Sequence, residues 1–173
     1  MFTRRSMGRG QGAARACADA DAERFFKHER ARFGDVLSLS PTPVRTELLR
    51  MSAMKILTVD DSRSMRALLR MTLDEAGFEV VEAEDGQAAL DWLEHNEVDL
   101  VITDINMPRL DGFGLIERLR GEHRRHVDRP ILVLTTECTA ERREQARAAG
   151  ANGWIVKPFD PERLVDAVRR VVH

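Results

Sequence analysis

From residue 55 onward, short runs of aliphatic and β-branched residues alternate with longer segments in which apolar residues recur every three or four positions. The short runs predict strands and the longer segments predict amphipathic helices, because side chains repeat their direction about every 2 residues in a strand and about every 3.6 in a helix. Five strands are predicted, at Lys55–Val59, Glu79–Ala83, 100–104, Ile131–Thr135 and Gly153–Val156. A helix is predicted after each of them.

Two of these helices have readable ends. The first ends at Gly77, a residue typical of helix C-termini, and the last begins with Asp160 as cap and Pro161 in its first turn. The apolar stripe of the first helix is predicted to comprise Met65, Leu68, Leu69, Thr72, Leu73 and Ala76. That of the last comprises Leu164, Val165, Val168, Val171 and Val172. The fourth helix, about Ala140–Ala149, holds mostly alanine and charged residues, so we expect a narrow apolar face there.

The strict alternation of strands and helices predicts the fold class. Parallel strands need right-handed crossovers, which place helices on both faces of the sheet, so we predict an α/β doubly wound fold with a five-stranded parallel sheet. The flavodoxin-like (βα)5 strand order 2-1-3-4-5 is expected by precedent with other five-stranded sheets rather than from the residue pattern.

The first part of the chain lacks this pattern. It contains a Gly-Arg-Gly-Gln-Gly run at residues 8–12 and Pro41-Thr42-Pro43, with one short helical pattern at residues 22–33. We predict a poorly ordered extension over residues 1–53 and one folded domain over residues 54–173. A second hypothesis is that translation starts at Met51 or Met54 and that the extension is a misassigned start.

Composition narrows the class of protein. Hydrophobic residues at 43% and charged residues at 32% are typical of a soluble globular chain, and no apolar run approaches the length of about 20 residues that a membrane-spanning helix needs. Cys17 and Cys138 have no disulfide or metal-ligand spacing, which favours a reducing cytoplasm and, for Cys138, an inert thiol. Residues 54–173 carry 17 Lys and Arg against 23 Asp and Glu. We therefore expect a cytoplasmic protein that binds neither DNA nor membranes.

Aromatic residues outside the strand ends suggest no chemistry. The five histidines form no ligand spacing and are all expected at the surface: His28, His95, His123, His126 and His173. Trp92, beside Leu93 in the second helix, is expected to pack in the core.

Polar residues stand where four of the predicted strands end. Asp60 and Asp61 follow the first strand, Asp104 ends the third, Thr135 ends the fourth and Lys157 follows the fifth. In the expected order these four strands are neighbours, and ligands of such sheets bind beyond the carboxyl ends of the strands. Three carboxylates, a hydroxyl and an amine are therefore predicted to converge at one edge.

The carboxylates require a cation, since each would otherwise raise the pKa of the others. Oxygen donors without His or Cys favour a hard ion such as Mg²⁺. The predicted ligands are Asp60, Asp61, Asp104 and the backbone carbonyl of Asn106. Asp61 is expected to be the more direct of the first pair, because alternation along the strand sends its neighbour to another face.

The same residues suit phosphoryl transfer, which needs an in-line nucleophile and positive charge or donors around the transferred oxygens. Asp104 is predicted to be the nucleophile and phosphoacceptor. Lys157 is predicted to bind one phosphoryl oxygen and the Thr135 hydroxyl another.

Four motifs resemble those of the two-component response-regulator receiver domain, over about residues 54–172. They are Val59-Asp60-Asp61-Ser62, Thr103-Asp104-Ile105-Asn106-Met107-Pro108, Leu134-Thr135-Thr136-Glu137 and Val156-Lys157-Pro158-Phe159. The resemblance implies a phosphorelay signalling protein that takes its phosphoryl group from a phosphohistidine on a sensor histidine kinase. It also implies a cis peptide bond between Lys157 and Pro158, and a phosphoacceptor that catalyses its own phosphorylation and dephosphorylation rather than an enzyme acting on other substrates.

The resemblance further implies a switch in which Thr135 moves toward the phosphate and an aromatic residue three positions before the lysine turns inward. That residue is Trp154, where the family usually has Tyr or Phe. An indole is larger and donates but does not accept a hydrogen bond, so this sequence departs from the family at its second switch position.

Residues 64–69, Glu137 and the lack of an effector domain resemble the stand-alone chemotaxis regulators of the CheY type. This implies a chemotaxis histidine kinase as donor, and either the flagellar motor switch as target or a role as phosphate sink. The output surface is predicted on the fourth helix with the fifth strand and helix.

Three other functions fit the sequence less well. A flavin-binding electron carrier shares the fold, but Asp60 and Asp61 would repel a flavin phosphate. A haloacid-dehalogenase-like phosphatase places its nucleophile at the first strand and needs a larger chain. A constitutive interaction module, independent of phosphorylation, would not need all the chemical residues that this chain contains.

Overall fold

The structure, a computed structural model, describes residues 53–121, 126–137 and 139–172. The predictions for the N-terminal extension before residue 53, and for Cys138, lie outside these residues. The strands are β1 (Lys55–Val59), β2 (Glu79–Ala83), β3 (Leu100–Thr103), β4 (Ile131–Thr135) and β5 (Gly153–Val156). The helices are α1 (Arg63–Glu75), α2 (Gly86–Leu93), α3 (Gly112–Gly121), α4 (Ala140–Ala149) and α5 (Pro161–Val172).

The five strands form one parallel sheet in the order β2-β1-β3-β4-β5, which confirms the predicted fold class and strand order. Val59 lies opposite Ala83 on one side and Thr103 on the other, so β1, β2 and β3 end level at one edge. Strand β3 is one residue shorter than predicted and ends at Thr103. Asp104 therefore belongs to the loop beyond the sheet, where its side chain is not committed to either face.

Helices cover both faces of the sheet, as the buried central strands of a parallel sheet require. Helices α2, α3 and α4 pack on one face around Leu57, Val101 and Val133. Helices α1 and α5 pack on the other around Ile56, Ile102 and Leu132. The narrow apolar face predicted for α4 is confirmed, since Ala146 is its only fully buried residue.

The ends of the helices follow the predicted signals. The Asp160 carboxylate accepts a hydrogen bond from the Arg163 amide at 3.1 Å and caps α5. Gly77, just after α1, has a φ of +89°, in the left-handed region that favours glycine.

The predicted stripe of α1 is one residue too wide. Leu69, Thr72 and Leu73 are buried, whereas Leu68 is 38% exposed. Helix α1 packs against β1, β2 and α5, so only a narrow arc of its surface faces the sheet and Leu68 lies at the margin of that arc. Among the described residues, no helix combines the length and apolar character that crossing a bilayer demands.

The prediction that every histidine lies at the surface is wrong for His126. Its side chain is 1% exposed, and its Nε2 lies 3.2 Å from the carbonyl oxygen of Leu93 at the end of α2. His126 lies in the turn before β4, and this turn packs against the end of α2. The prediction rested on the absence of metal-ligand spacing among the histidines, which says nothing about whether a histidine is buried. His95 is exposed as predicted, and Trp92 packs against the core as predicted. His28, His123 and His173 lie outside the described residues.

Candidate functional site

Three carboxylates meet at the carboxyl edge of the sheet. One oxygen from each of Asp60, Asp61 and Asp104 lies within 4.8 Å of the others. Asp60 and Asp104 come together because they follow the adjacent strands β1 and β3. The Asp104 amide donates a hydrogen bond to the Val59 carbonyl oxygen at 2.9 Å. The loops after two neighbouring strands thus form one acidic cluster.

The first two acids of the cluster differ in environment. Asp60 is fully buried, with Oδ1 accepting from the Ser62 amide at 2.9 Å, while Asp61 is exposed. The alternation argument does not apply to this pair, because β1 ends at Val59 and Asp60 already lies in the loop. Asp60 is not turned away from the site, and both side chains contribute to the cluster.

Lys157 reaches into the cluster from the end of β5. Its Nζ lies 2.6 Å from Asp60 Oδ2 and 2.9 Å from Asp104 Oδ2, and its side chain is 9% exposed. Burial lowers the pKa of Lys157, but hydrogen bonds to the two carboxylates outweigh burial and raise it above its usual value. The ammonium group therefore stays charged. The Lys157–Pro158 peptide bond is cis, as the resemblance implies.

Asp104 is buried and its carboxylate is oriented by the backbone. Its Oδ1 accepts a hydrogen bond from the Ile105 amide at 2.8 Å, and its Oδ2 faces Lys157. Burial raises the pKa of Asp104 above its usual value, despite the opposing contacts with Lys157 and Ile105. The buried environment thus disfavours the ionised form of this carboxylate.

The donor set fits a hard divalent cation. Among the described residues, Lys157 supplies the one ammonium group that pairs with this cluster of three acids, and it contacts Asp60 and Asp104 but not Asp61. Oxygen donors alone, in an arrangement open at Asp61, suit an ion such as Mg²⁺ that keeps several waters. The residues that would hold it are Asp60, Asp61, Asp104 and the backbone carbonyl of Asn106.

Thr135 and Asn106 lie in a second set of contacts beside the cluster. The buried Thr135 hydroxyl accepts a hydrogen bond from the Glu137 amide at 3.3 Å. The Asn106 side chain donates to Glu137 Oε1 at 3.2 Å, and Glu137 Oε2 pairs with Arg142 Nε at 2.9 Å. The loops after β3 and β4 are therefore joined to the start of α4.

Trp154 is buried in the core on the α2, α3 and α4 side, with 6% exposure. Its Nε1 is buried and has no hydrogen-bond partner among the described residues. The indole already lies inward in this structure, so the switch role that the resemblance implies for it stays a prediction.

Sequence reasoning missed two arginines near the site. Arg66, in the first turns of α1, donates through Nη1 to the carbonyl oxygens of Asp60 at 2.7 Å and Asp61 at 3.2 Å. Arg142, in α4, orients Glu137 through the ion pair between its Nε and Glu137 Oε2. No motif spacing marks either arginine, because both act through contacts between loops and helices.

A five-stranded doubly wound sheet whose carboxyl edge carries an acidic cluster, a buried lysine and a threonine defines the CheY-like class of signalling domains. The chain matches the response regulator receiver domain over residues 56–169 and belongs to that family.

Relatives and solved structures agree with this assignment. A chemotaxis protein CheY homolog of Campylobacter jejuni is 42% identical over 121 residues, which cover 69% of this chain and 92% of that protein. The structure of the chemotaxis response regulator CheY4 of Vibrio cholerae has a TM-score of 0.66 at 42% identity, covering 69% of this chain and 99% of that one. The receiver domain of a sensor histidine kinase from Pseudomonas aeruginosa, with a magnesium ion coordinated in its active site cleft, has a TM-score of 0.65 at 26% identity, covering 70% and 98%.

Proposed function

We propose that this receiver domain is a phosphorylation-dependent switch that accepts a phosphoryl group on Asp104 from a phosphohistidine of a sensor histidine kinase. The observation that carries the proposal is the Asp104 carboxylate, buried, held by the Ile105 amide and 2.9 Å from the Lys157 ammonium group. An oriented carboxylate beside a fixed positive charge is the arrangement that phosphoryl transfer requires.

In the proposed reaction, an oxygen of Asp104 attacks the phosphorus of the phosphohistidine. A P–O bond forms and the P–N bond breaks, and the electron pair returns to the imidazole, which takes a proton from solvent. Lys157 binds one oxygen of the transferred group, and the Thr135 hydroxyl rotates from its present contact with the Glu137 amide to donate to another. Water later attacks phosphorus, the P–O bond to Asp104 breaks, and inorganic phosphate leaves while the Asp104 carboxylate is restored.

Asp60, Asp61, Asp104 and the Asn106 carbonyl are the proposed Mg²⁺ ligands. The ion would supply charge neutralisation for the incoming phosphoryl group. The magnesium coordinated in the related Pseudomonas aeruginosa receiver domain supports this assignment, together with the three carboxylate oxygens that lie within 4.8 Å of one another.

The proposal predicts that the full chain gains one phosphoryl group from acetyl phosphate in the presence of Mg²⁺ and none after chelation of divalent ions. Intact-mass spectrometry measures both states. No gain under either condition would favour the constitutive interaction module, in which the same surfaces bind a partner without phosphorylation.

Trp154 is the proposed second switch residue. In a Trp92→Phe background it is the sole indole, and phosphorylation is expected to change its emission, because Thr135 lies two positions along the neighbouring strand from the residue paired with Trp154. Adding Thr135→Ala to that background is expected to abolish the change while Asp104 is still phosphorylated. Full phosphorylation with unaltered emission in the Trp92→Phe protein would exclude a switch role for Trp154.

We infer a role in chemotaxis or motility control, in the cytoplasm, with a chemotaxis kinase as donor. The similarity to chemotaxis proteins of Campylobacter jejuni and Vibrio cholerae supports this context. The downstream partner would be the flagellar motor switch, or the domain would serve as a phosphate sink in a phosphorelay. Phosphorylation-dependent binding to the motor switch protein separates the first role from the second.

The receiver function is assigned to residues 54–173. The family match over residues 56–169 and the ten elements between Lys55 and Val172 support that boundary. The residues proposed for the site all lie between Asp60 and Lys157, within that domain.

A further inference from the structure

A second buried carboxylate lies outside the acidic cluster, in the loop between β2 and α2. Asp85 is 2% exposed, and its Oδ1 caps α2 by accepting from the Ala88 amide at 2.9 Å. Its Oδ2 pairs with both Nε and Nη2 of Arg109, which comes from the loop after β3. A buried carboxylate demands such a partner, since an unpaired buried charge is strongly unfavourable. Arg109 is therefore the counter-ion of Asp85.

Arg109 holds a backbone conformation that an arginine rarely adopts. Its φ is +63°, in the left-handed region that favours glycine or asparagine. Such conformations persist when the surrounding contacts over-determine them, and they cluster at functional loops. Here the contacts are the two-pronged pair with Asp85 and a further one between Nη2 and Glu84 Oε1 at 3.1 Å.

The backbone joins the same two loops at the adjacent residues. The Gly86 amide donates to the Leu110 carbonyl oxygen at 3.2 Å, and a Cβ on Gly86 would lie 2.7 Å from that oxygen. The loop after β3 is closed at its base as well, because the Gly112 amide donates to the Ile105 carbonyl oxygen at 2.9 Å. Asn106 lies in the segment between Ile105 and Leu110, whose carbonyl oxygens accept these two hydrogen bonds.

We infer that Arg109 is a positioning residue for the metal site. By clamping its loop to the buried Asp85, it fixes the Asn106 backbone carbonyl three residues earlier and thereby sets the affinity of the acidic cluster for Mg²⁺. The inference rests on the proposed function, since it uses the proposed Mg²⁺ ligand set. Arg109 itself touches neither the acidic cluster nor Lys157 in any contact of the described residues.

Titration of the full chain with Mg²⁺ by calorimetry tests the inference directly. Arg109→Gly keeps the left-handed backbone conformation accessible and removes the side chain that contacts Asp85 and Glu84. We expect Mg²⁺ to bind about tenfold more weakly, at the low end of what residues that orient metal ligands contribute. With acetyl phosphate, the Mg²⁺ concentration for half-maximal phosphorylation should rise by the same factor of about ten, while the rate at saturating Mg²⁺ stays near that of wild type. Arg109→Lys keeps the charge without the two-pronged geometry, and its affinity for Mg²⁺ should lie between those of the wild type and Arg109→Gly.

A double variant separates positioning from folding, because Arg109→Gly leaves the buried Asp85 carboxylate without its counter-ion. Asp85→Asn combined with Arg109→Gly removes both charges, and the amide oxygen can still cap the Ala88 amide. Positioning by Arg109 predicts that thermal stability recovers in the double variant while Mg²⁺ affinity stays low. Recovery of both thermal stability and Mg²⁺ affinity in the double variant would overturn the inference, because the Asp85–Arg109 pair would then serve only the stability of the fold.

Arg129→Ala is the matched control. Arg129 also pairs with a loop carboxylate, Asp99, at 3.8 Å, but at the opposite edge of the sheet, so its loss should leave Mg²⁺ affinity unchanged. If a folded Arg109→Gly protein binds Mg²⁺ as tightly as the wild type, the inference is wrong. Phosphorylation of the wild type would still support the proposed function in that case. A wild type that neither binds Mg²⁺ nor gains a phosphoryl group would overturn both.

Discussion

Asp104→Asn is expected to abolish phosphorylation by acetyl phosphate at saturating Mg²⁺, where the wild type gains one phosphoryl group. The amide is a poor nucleophile and cannot form the acyl phosphate, and the substitution also removes one of the two carboxylates that hold Lys157. Intact-mass spectrometry gives the result for both proteins under one set of conditions.

The loss must be separated from unfolding. Because burial raises the pKa of Asp104, its ionised form opposes folding at neutral pH, and the amide variant should melt at or above the wild-type temperature in the absence of Mg²⁺. Asp99→Asn, at the opposite edge of the sheet, is the matched control and should be phosphorylated normally. A phosphoryl group on the Asp104→Asn protein would mean that another residue is the acceptor, and peptide mapping would identify it.

Gly112→Ala is expected to destabilise the fold by about 3 kcal/mol, at the upper end of the usual cost of overpacking. A Cβ at this position would lie 2.2 Å from the Asp104 carbonyl oxygen and 2.9 Å from the Ile105 Cα. Both atoms belong to the backbone, so neither can move aside by a change of side-chain rotamer. Helix α3 begins here against the peptide group of the phosphoacceptor, so we also expect weaker phosphorylation. Urea unfolding measures the change in free energy.

Gly121→Ala is the control for that substitution. Gly121 ends the same helix, and a Cβ there would meet no atom of the described residues within 4 Å beyond its chain neighbours and the backbone of its own helix. Replacing glycine by alanine in a helix stabilises it by up to about 1 kcal/mol, so this variant should unfold at the same or a higher urea concentration than wild type. Equal destabilisation of the two variants would show that the contact at Gly112 is not the cause.

Periodicity predicted the alternation of strands and helices, and the strand ends marked the residues of the proposed site. Four strands have the predicted bounds, because each is a short segment with aliphatic residues at its centre and a polar residue directly after it. The strand order came from precedent, and once it is known, neighbouring parallel strands must bring Asp60, Asp104 and Lys157 to one edge. What was predicted correctly is thus either local in sequence or follows from topology.

The sequence by itself determined the βα repeat, the helix caps and the residue types at the carboxyl edge, because these depend on neighbours along the chain. Only the tertiary structure decided which loops touch. The pairing of Arg109 with Asp85, the contact of Arg66 with the carbonyls behind the acidic pair and the burial of His126 against α2 join segments distant in sequence or in different elements. Such contacts depend on side-chain packing across elements, which no local period encodes.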